Sequence, residues 1–126
     1  MKYLNKLKLA NFRNYEFAEV ETISLINVIT GPNGAGKTSL LEAISLLTPG
    51  KGMRGANLEE MRKIGVLQWS IFANVNNYNI GTGLEAGAKK RIVKIDGELQ
   101  KGVNSLANYV SAIWLTPQMD GVFLAD

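Results

Sequence analysis

The sequence predicts an α/β fold gathered around one glycine-rich loop, on three adjoining observations. Ile23 to Thr30, ISLINVIT, is rich in β-branched residues and almost continuously apolar, as suits a strand buried on both faces. Residues 31–38, GPNGAGKT, form a loop dense in glycine. From Thr38 to Leu47 the apolar residues Leu40, Leu41, Ala43, Ile44, Leu46 and Leu47 recur at the i, i+3, i+4, i+7 spacing of an amphipathic helix.

The other elements follow in order. Leu7 and Leu9 alternate with Lys6 and Lys8 in a first strand, which Leu4 extends less regularly. Residues 11–15, NFRNY, read as a turn, and Phe17 to Val20 as a short second strand in acidic surroundings. Pro49-Gly50 stops the helix. Residues 50–64 form a connection containing Gly and Arg, with a short helix at Leu58 to Lys63. Val66 to Val75, Tyr78 to Ile80 and Arg91 to Ile95 read as strands. Asp96-Gly97 is a hairpin turn signal, with Glu98 to Gln100 returning. Val103 to Tyr109 reads as a short helix and Val110 to Leu115 as a final buried strand. The expectation is one domain over residues 1–126, a mixed core sheet with an antiparallel insertion at about 66–100.

Composition narrows the chemistry. At 126 residues and 13.8 kDa the chain is long enough to bury a core, and 46% hydrophobic against 20% charged residues is the balance of a soluble globular protein. No apolar stretch approaches the roughly 20 residues that span a bilayer, and lysines at 2, 6 and 8 interrupt any secretory core, so neither membrane nor export is expected. With no Cys and no His, disulfides, thiol nucleophiles, Cys-ligated zinc and imidazole acid–base catalysis are excluded from this chain. A net charge of +3 and a pI near 9.2 permit an anionic partner without specifying one.

GPNGAGKT matches G-x-x-x-x-G-K-[ST] at every position, the Walker A or P-loop motif. A triphosphate packs several negative charges into a small volume, and successive backbone N–H groups can cradle it where side chains stay small. Gly31, Gly34 and Gly36, with Pro32, Asn33 and Ala35, supply such a backbone. The following helix adds its free N–H groups and the positive end of its dipole. Lys37 is expected on the β- and γ-phosphates, and the Thr38 hydroxyl on Mg²⁺. Gly81-Thr82-Gly83 with Gly87 imitates a dinucleotide fingerprint, but its third glycine comes one position late and no helix follows. It is expected to be a loop between strands.

The motifs NFRNY at 11–15, GPNGAGKTSLLEAI at 31–44, PGKGMR at 49–54, IDG at 95–97 and WLTPQMD at 114–120 stand in an order that resembles the RecF family. These are bacterial DNA-repair ATPases of the ABC-type group that includes the SMC proteins. The resemblance implies the first lobe of an ABC-type ATPase, with ATP and Mg²⁺ as cofactors and an ATP-dependent homodimer. It implies binding to DNA at single-strand gaps or junctions, and support of RecA loading with RecO and RecR in recombinational repair and the SOS response, in the cytoplasm. The signature motif, Walker B Asp and adjacent Glu of that group find no match after the Walker A loop. The chain is therefore expected to be an N-terminal portion that binds nucleotide without turning it over. The alternatives are another SMC-like or ABC ATPase, or a nucleotide-binding remnant without activity.

Further residues carry two readings. By the resemblance Arg13 lies near the nucleotide and pairs with a phosphate; otherwise it is a solvated surface residue. Gln118 stands where ABC ATPases carry a Q-loop that senses Mg²⁺ and the attacking water. Lys51 and Arg54 either meet phosphate or DNA, or line a solvated loop. Lys89, Lys90, Arg91 and Lys94 are the densest positive cluster: a DNA contact, or lysines guarding a sheet edge. Lys90 and Lys94 share one strand face with Ile92, and Arg91 the other with Val93 and Ile95. Trp69 and Trp114, in strand-like runs, read as core residues, with stacking on bases the alternative.

Overall fold

A computed structural model of the chain describes residues 2–13, 15–21, 35–48, 58–109, 112–114 and 123–125. The first strand, β1 (Lys2–Phe12), is the centre of a mixed sheet. Strand β2 (Tyr15–Glu21) folds back antiparallel along its second half. On the other side β1 pairs antiparallel with β3 (Trp69–Val75), followed by β4 (Tyr78–Leu84), β5 (Ile92–Ile95) and β6 (Glu98–Leu99), each antiparallel to the one before. Strand β7 (Ala112–Trp114) runs parallel to the first residues of β1 and pairs antiparallel with β8 (Phe123–Ala125). The sheet order is β6-β5-β4-β3-β1-β7-β8, with β2 also against β1. The predicted antiparallel segment thus continues the core sheet directly from β1.

Two irregularities explain how β1 buries Leu4, Leu7, Leu9 and Phe12 together although their spacing is not strictly alternate. The register against β3 slips between Leu4 and Lys6, which turns Leu4 to the face of Leu7 and Leu9. Asn11 has φ 55°, which reverses the alternation once more and sends Phe12 inward. There Phe12 meets Trp69 edge-on, with ring centroids 5.4 Å apart, and the Trp69 indole N–H donates to the Leu58 carbonyl at 2.8 Å. Trp69 is therefore core, as expected.

The meander follows its turn chemistry. Asn76 and Asn77 (φ 51° and 71°) close the β3–β4 hairpin, and Asp96 and Gly97 (φ 50° and 85°) close β5–β6, the paired positive φ values of tight hairpin turns. Strand β4 runs past Ile80 to Leu84, so Gly81-Thr82-Gly83 is strand and not the expected loop. Ladder bonds come from the backbone and tolerate glycine where the neighbouring strand passes close; a Cβ on Gly83 would stand 2.5 Å from the Trp69 carbonyl oxygen of β3.

The helix α1 (Ala35–Ser45) begins three residues before the apolar pattern does, because Ala35, Gly36 and Lys37 already take helical backbone. Its described side chains depart from a simple amphipathic helix. Leu40, Ala43 and Ile44 join the core, but Ser39, Glu42 and Ser45 are buried as well. The polar ones are accommodated by internal bonds: the Ser45 hydroxyl donates to the Glu42 carbonyl at 2.6 Å, and Glu42 accepts from Arg13. Short 3-10 turns cover Leu58–Met61 and Val103–Asn108, where short helices were expected. The expected strand Ile23–Thr30 and the stop at Pro49-Gly50 lie outside the described residues. No helix among the described residues is long and apolar enough to cross a membrane.

Candidate nucleotide-binding site

Of the Walker A residues, Gly31, Pro32, Asn33 and Gly34 lie outside the described residues, and Ala35, Gly36, Lys37 and Thr38 form the first turn of α1. That turn presents the N–H groups that have no partner within a helix, and it contains no acidic residue to repel an anion. The donor set fits a phosphate: backbone amides at a positive helix end, one Lys and one hydroxyl in sequence. Among the described residues no group of His, Cys, Asp or Glu is placed to hold a metal ion by itself. Gln118, Lys51 and Arg54 lie outside the described residues, and nothing is described of the Trp114 side chain.

The Arg13 guanidinium is turned to Glu42 and is not a solvated surface group. Arg13 sits in the β1–β2 turn at φ 52°, where its N–H donates to the Met61 carbonyl at 2.7 Å. Its guanidinium grips Glu42 at two points, Nε to Oε1 at 2.7 Å and Nη2 to Oε2 at 2.9 Å, while Nη1 donates to the Glu60 carbonyl at 3.1 Å. Glu42 is fully buried. The hydrogen bond to Glu42 raises the Arg13 pKa above its ordinary value, against the opposing effect of burial. The neighbouring chain is tied in too, with the Lys63 N–H donating to the Asn11 carbonyl at 2.8 Å. The β1–β2 turn, the 58–63 segment and the middle of α1 are thereby joined.

The basic cluster divides. Lys89, Lys90 and Lys94 are exposed, and no ion pair among the described residues includes them. Lys6 and Lys8, by contrast, both face Glu19, at 3.5 and 3.4 Å, and the Lys8 hydrogen bond leads the causes that hold the Glu19 carboxyl below its usual range. Arg91 leaves the cluster altogether. It is 5% exposed and donates from Nη1 to the Leu46 carbonyl at 2.5 Å and to Thr82 Oγ1 at 2.9 Å, and from Nη2 to the Thr48 carbonyl at 3.0 Å. Arg91 is therefore corrected from a DNA candidate to a buried anchor. The reason lies in the strand alternation: it shares a face with Val93 and Ile95, and that face is the core.

Two features had little signal in the sequence. Glu42, in a run of helix-forming residues, gave no sign of a buried ion pair. The outer face of β3–β5 carries an open groove of about 390 Å³, floored by Gly81 and Gly83 and bordered by Phe72, Ile92 and Lys94. Only the small residues at alternate positions of β4 hinted at it.

Over residues 6–119 the chain matches the AAA domain family. It is 42% identical over 127 residues to the DNA replication and repair protein RecF of Rhizobium leguminosarum bv. trifolii, covering 95% of this chain and 34% of that protein. RecF of Caulobacter vibrioides is 45% identical over 133 residues, covering 96% of this chain and 34% of its own length. A solved structure described as the recombination mediator protein RecF-ATP in the RecFOR pathway matches with a TM-score of 0.69 at 25% identity, over 83% of this chain and 30% of that one. Its RecF-ATPrS counterpart matches with a TM-score of 0.68 at 25% identity, over 83% and 29%. The chain spans 34% of the length of these curated relatives. The resemblance to RecF holds along nearly the whole chain, and the fold class is the one the sequence predicted, that of ABC-type P-loop ATPases.

Proposed function

The chain belongs to the AAA domain family, and on that premise we propose that it is the ATP-binding lobe of a RecF-type DNA replication and repair protein. The observation that carries this is the complete GPNGAGKT motif running into α1, whose first turn is free of acidic residues. The α1 amides and Lys37 take up phosphate charge, and the Thr38 hydroxyl holds Mg²⁺. Mg²⁺ held there would supply positive charge against the phosphates. Lys89, Lys90 and Lys94 contact the DNA backbone at gaps or junctions. By analogy with RecF, named in the RecFOR pathway in its solved structures, the full protein dimerises with ATP and works with RecO and RecR to load RecA in the cytoplasm.

The 126 residues bind nucleotide without hydrolysing it. In-line attack needs a carboxylate to hold the water, and of the described acids after α1, Asp96 is in a hairpin turn and Glu60, Glu85 and Glu98 are exposed. The test is calorimetry with Mg²⁺–ATP and a phosphate-release assay on the native chain and Lys37→Ala. The expected result is binding that Lys37→Ala abolishes, with phosphate release at the same background level in both. Equal affinities would overturn the binding reading, and steady Lys37-dependent release would overturn the inactivity.

A further inference from the structure

Whatever fixes α1 against the sheet also fixes where Lys37 and Thr38 stand, because both belong to its first turn. At about 1.5 Å per residue the helix is a rod some 16 Å long, so a grip on its far end is felt at the near one. Beyond Ser45 the chain tightens into turns, with Leu47 N–H donating to the Ile44 carbonyl at 3.0 Å and Thr48 N–H to the Ser45 carbonyl at 3.2 Å. The carbonyls of Leu46 and Thr48 are then left at the negative pole of the helix, on residues that are themselves buried. The last turn of α1 contains no basic residue to meet them.

Arg91, from just before β5, supplies the missing cation. Its two terminal nitrogens take the two carbonyls, one each. Thr82 on β4 orients the guanidinium, accepting from Nη1 at 2.9 Å while its own hydroxyl donates to the Ile92 carbonyl at 2.8 Å. A single donor would hold the helix end as a pivot. A rigid planar fork on two carbonyls fixes its rotation as well as its position. The sheet side of this grip is stiff, since Arg91 is followed by Val93 and Ile95 in the core.

We infer that Arg91 is a positioning residue for nucleotide binding: through the carbonyl end of α1 it sets the reach of Lys37 and Thr38 toward the phosphates. The inference rests on the Walker A reading above. Its test is Mg²⁺–ATP affinity in the chain at its full natural length, at a temperature where circular dichroism shows each variant folded. Arg91→Gln is expected to bind about tenfold more weakly. Arg91→Lys is expected in between, because it restores the charge and not the two-point grip. An Arg91→Gln variant that melts earlier yet binds ATP as tightly as the native chain would overturn the inference and leave Arg91 a stabilising residue alone. Should Arg91→Gln fail to fold, Thr82→Val removes the orienting hydroxyl and keeps both carbonyl bonds. A loss of affinity of about threefold supports the inference, and unchanged affinity overturns it. Lys37→Ala separates the two readings. If it abolishes binding while Arg91→Gln changes nothing, only this inference falls; if it binds like the native chain, both do.

Discussion

Arg13 and Arg91 hold the same helix by different chemistry. Arg13 comes from the β1–β2 turn and meets a side chain, the Glu42 carboxylate in the middle of α1. Arg91 comes from the meander and meets main chain, the Leu46 and Thr48 carbonyls at the helix end. The first is an ion pair of two formal charges. The second sets a formal charge against the partial charge of a helix terminus. The difference teaches which anchor can be redesigned. An ion pair is removable on both sides, and replacing such pairs by apolar residues is often neutral or better. Backbone carbonyls cannot be mutated away, so nothing can replace Arg91 except another donor of the same reach.

The largest expected effect breaks the ion pair. Arg13→Met withdraws the cation that balances a fully buried carboxylate, which costs about 3–5 kcal/mol where such pairs have been broken. Arg13→Met with Glu42→Met should recover most of that loss. Thermal unfolding of the two single variants and the double, read as a double-mutant cycle, measures the coupling. Additive losses would mean that the pair contributes nothing as a pair.

Arg91→Met is expected to cost less, about 2–3 kcal/mol, since it strands neutral carbonyls rather than a charge. No second substitution should recover it. Adding Thr82→Val, which removes the hydroxyl that accepts from the fork, is expected to leave the loss unrepaired in the same unfolding measurement. Recovery by that double variant would show that Arg91 answers to Thr82 and not to the helix end, and would erase the contrast between the two anchors.

How far this was legible in the sequence depends on the range of the interaction. The Asp96-Gly97 hairpin and the meander strands are local signals of turn chemistry and alternation, and the structure follows them. Gly81-Thr82-Gly83 misleads because glycine in a strand looks like a loop until the crossing Trp69 carbonyl is seen. Leu4 and Phe12 needed a bulge and a positive φ to reach the core, neither of which leaves a pattern in composition. The partners of the two arginines on and just beyond α1 lie 29 and 43 to 45 residues away, and no local rule predicts contacts at that separation. Yet the alternation that puts Arg91 on the face of Val93 and Ile95 is visible in the sequence. It points inward once that face is recognised as the apolar one.

The smallest expected effect sharpens the same division on the outer side of the hairpin. If Arg91 is an anchor and its neighbours are the DNA contacts, only the lysines should govern the salt dependence of DNA binding. Each phosphate neutralised by a Lys releases condensed counterions, and the slope of log affinity against log salt steepens by about 0.9 per neutralised phosphate on duplex and about 0.7 on a single strand. Changing Lys89, Lys90 and Lys94 to Gln leaves the anchor intact and should flatten the slope by up to roughly that amount for each phosphate no longer neutralised. Arg91→Lys should leave the slope where it was, because that side chain is buried against α1 and releases no counterions. The measurement is DNA affinity across a salt series in the chain at its full natural length, on gapped and fully duplex DNA. A slope unmoved by the three lysine substitutions would give them the other role open to exposed lysines on a hairpin, that of keeping a sheet edge from pairing with its own kind. A slope moved by Arg91→Lys alone would put the guanidinium on the DNA and undo the assignment of Arg91 to the helix.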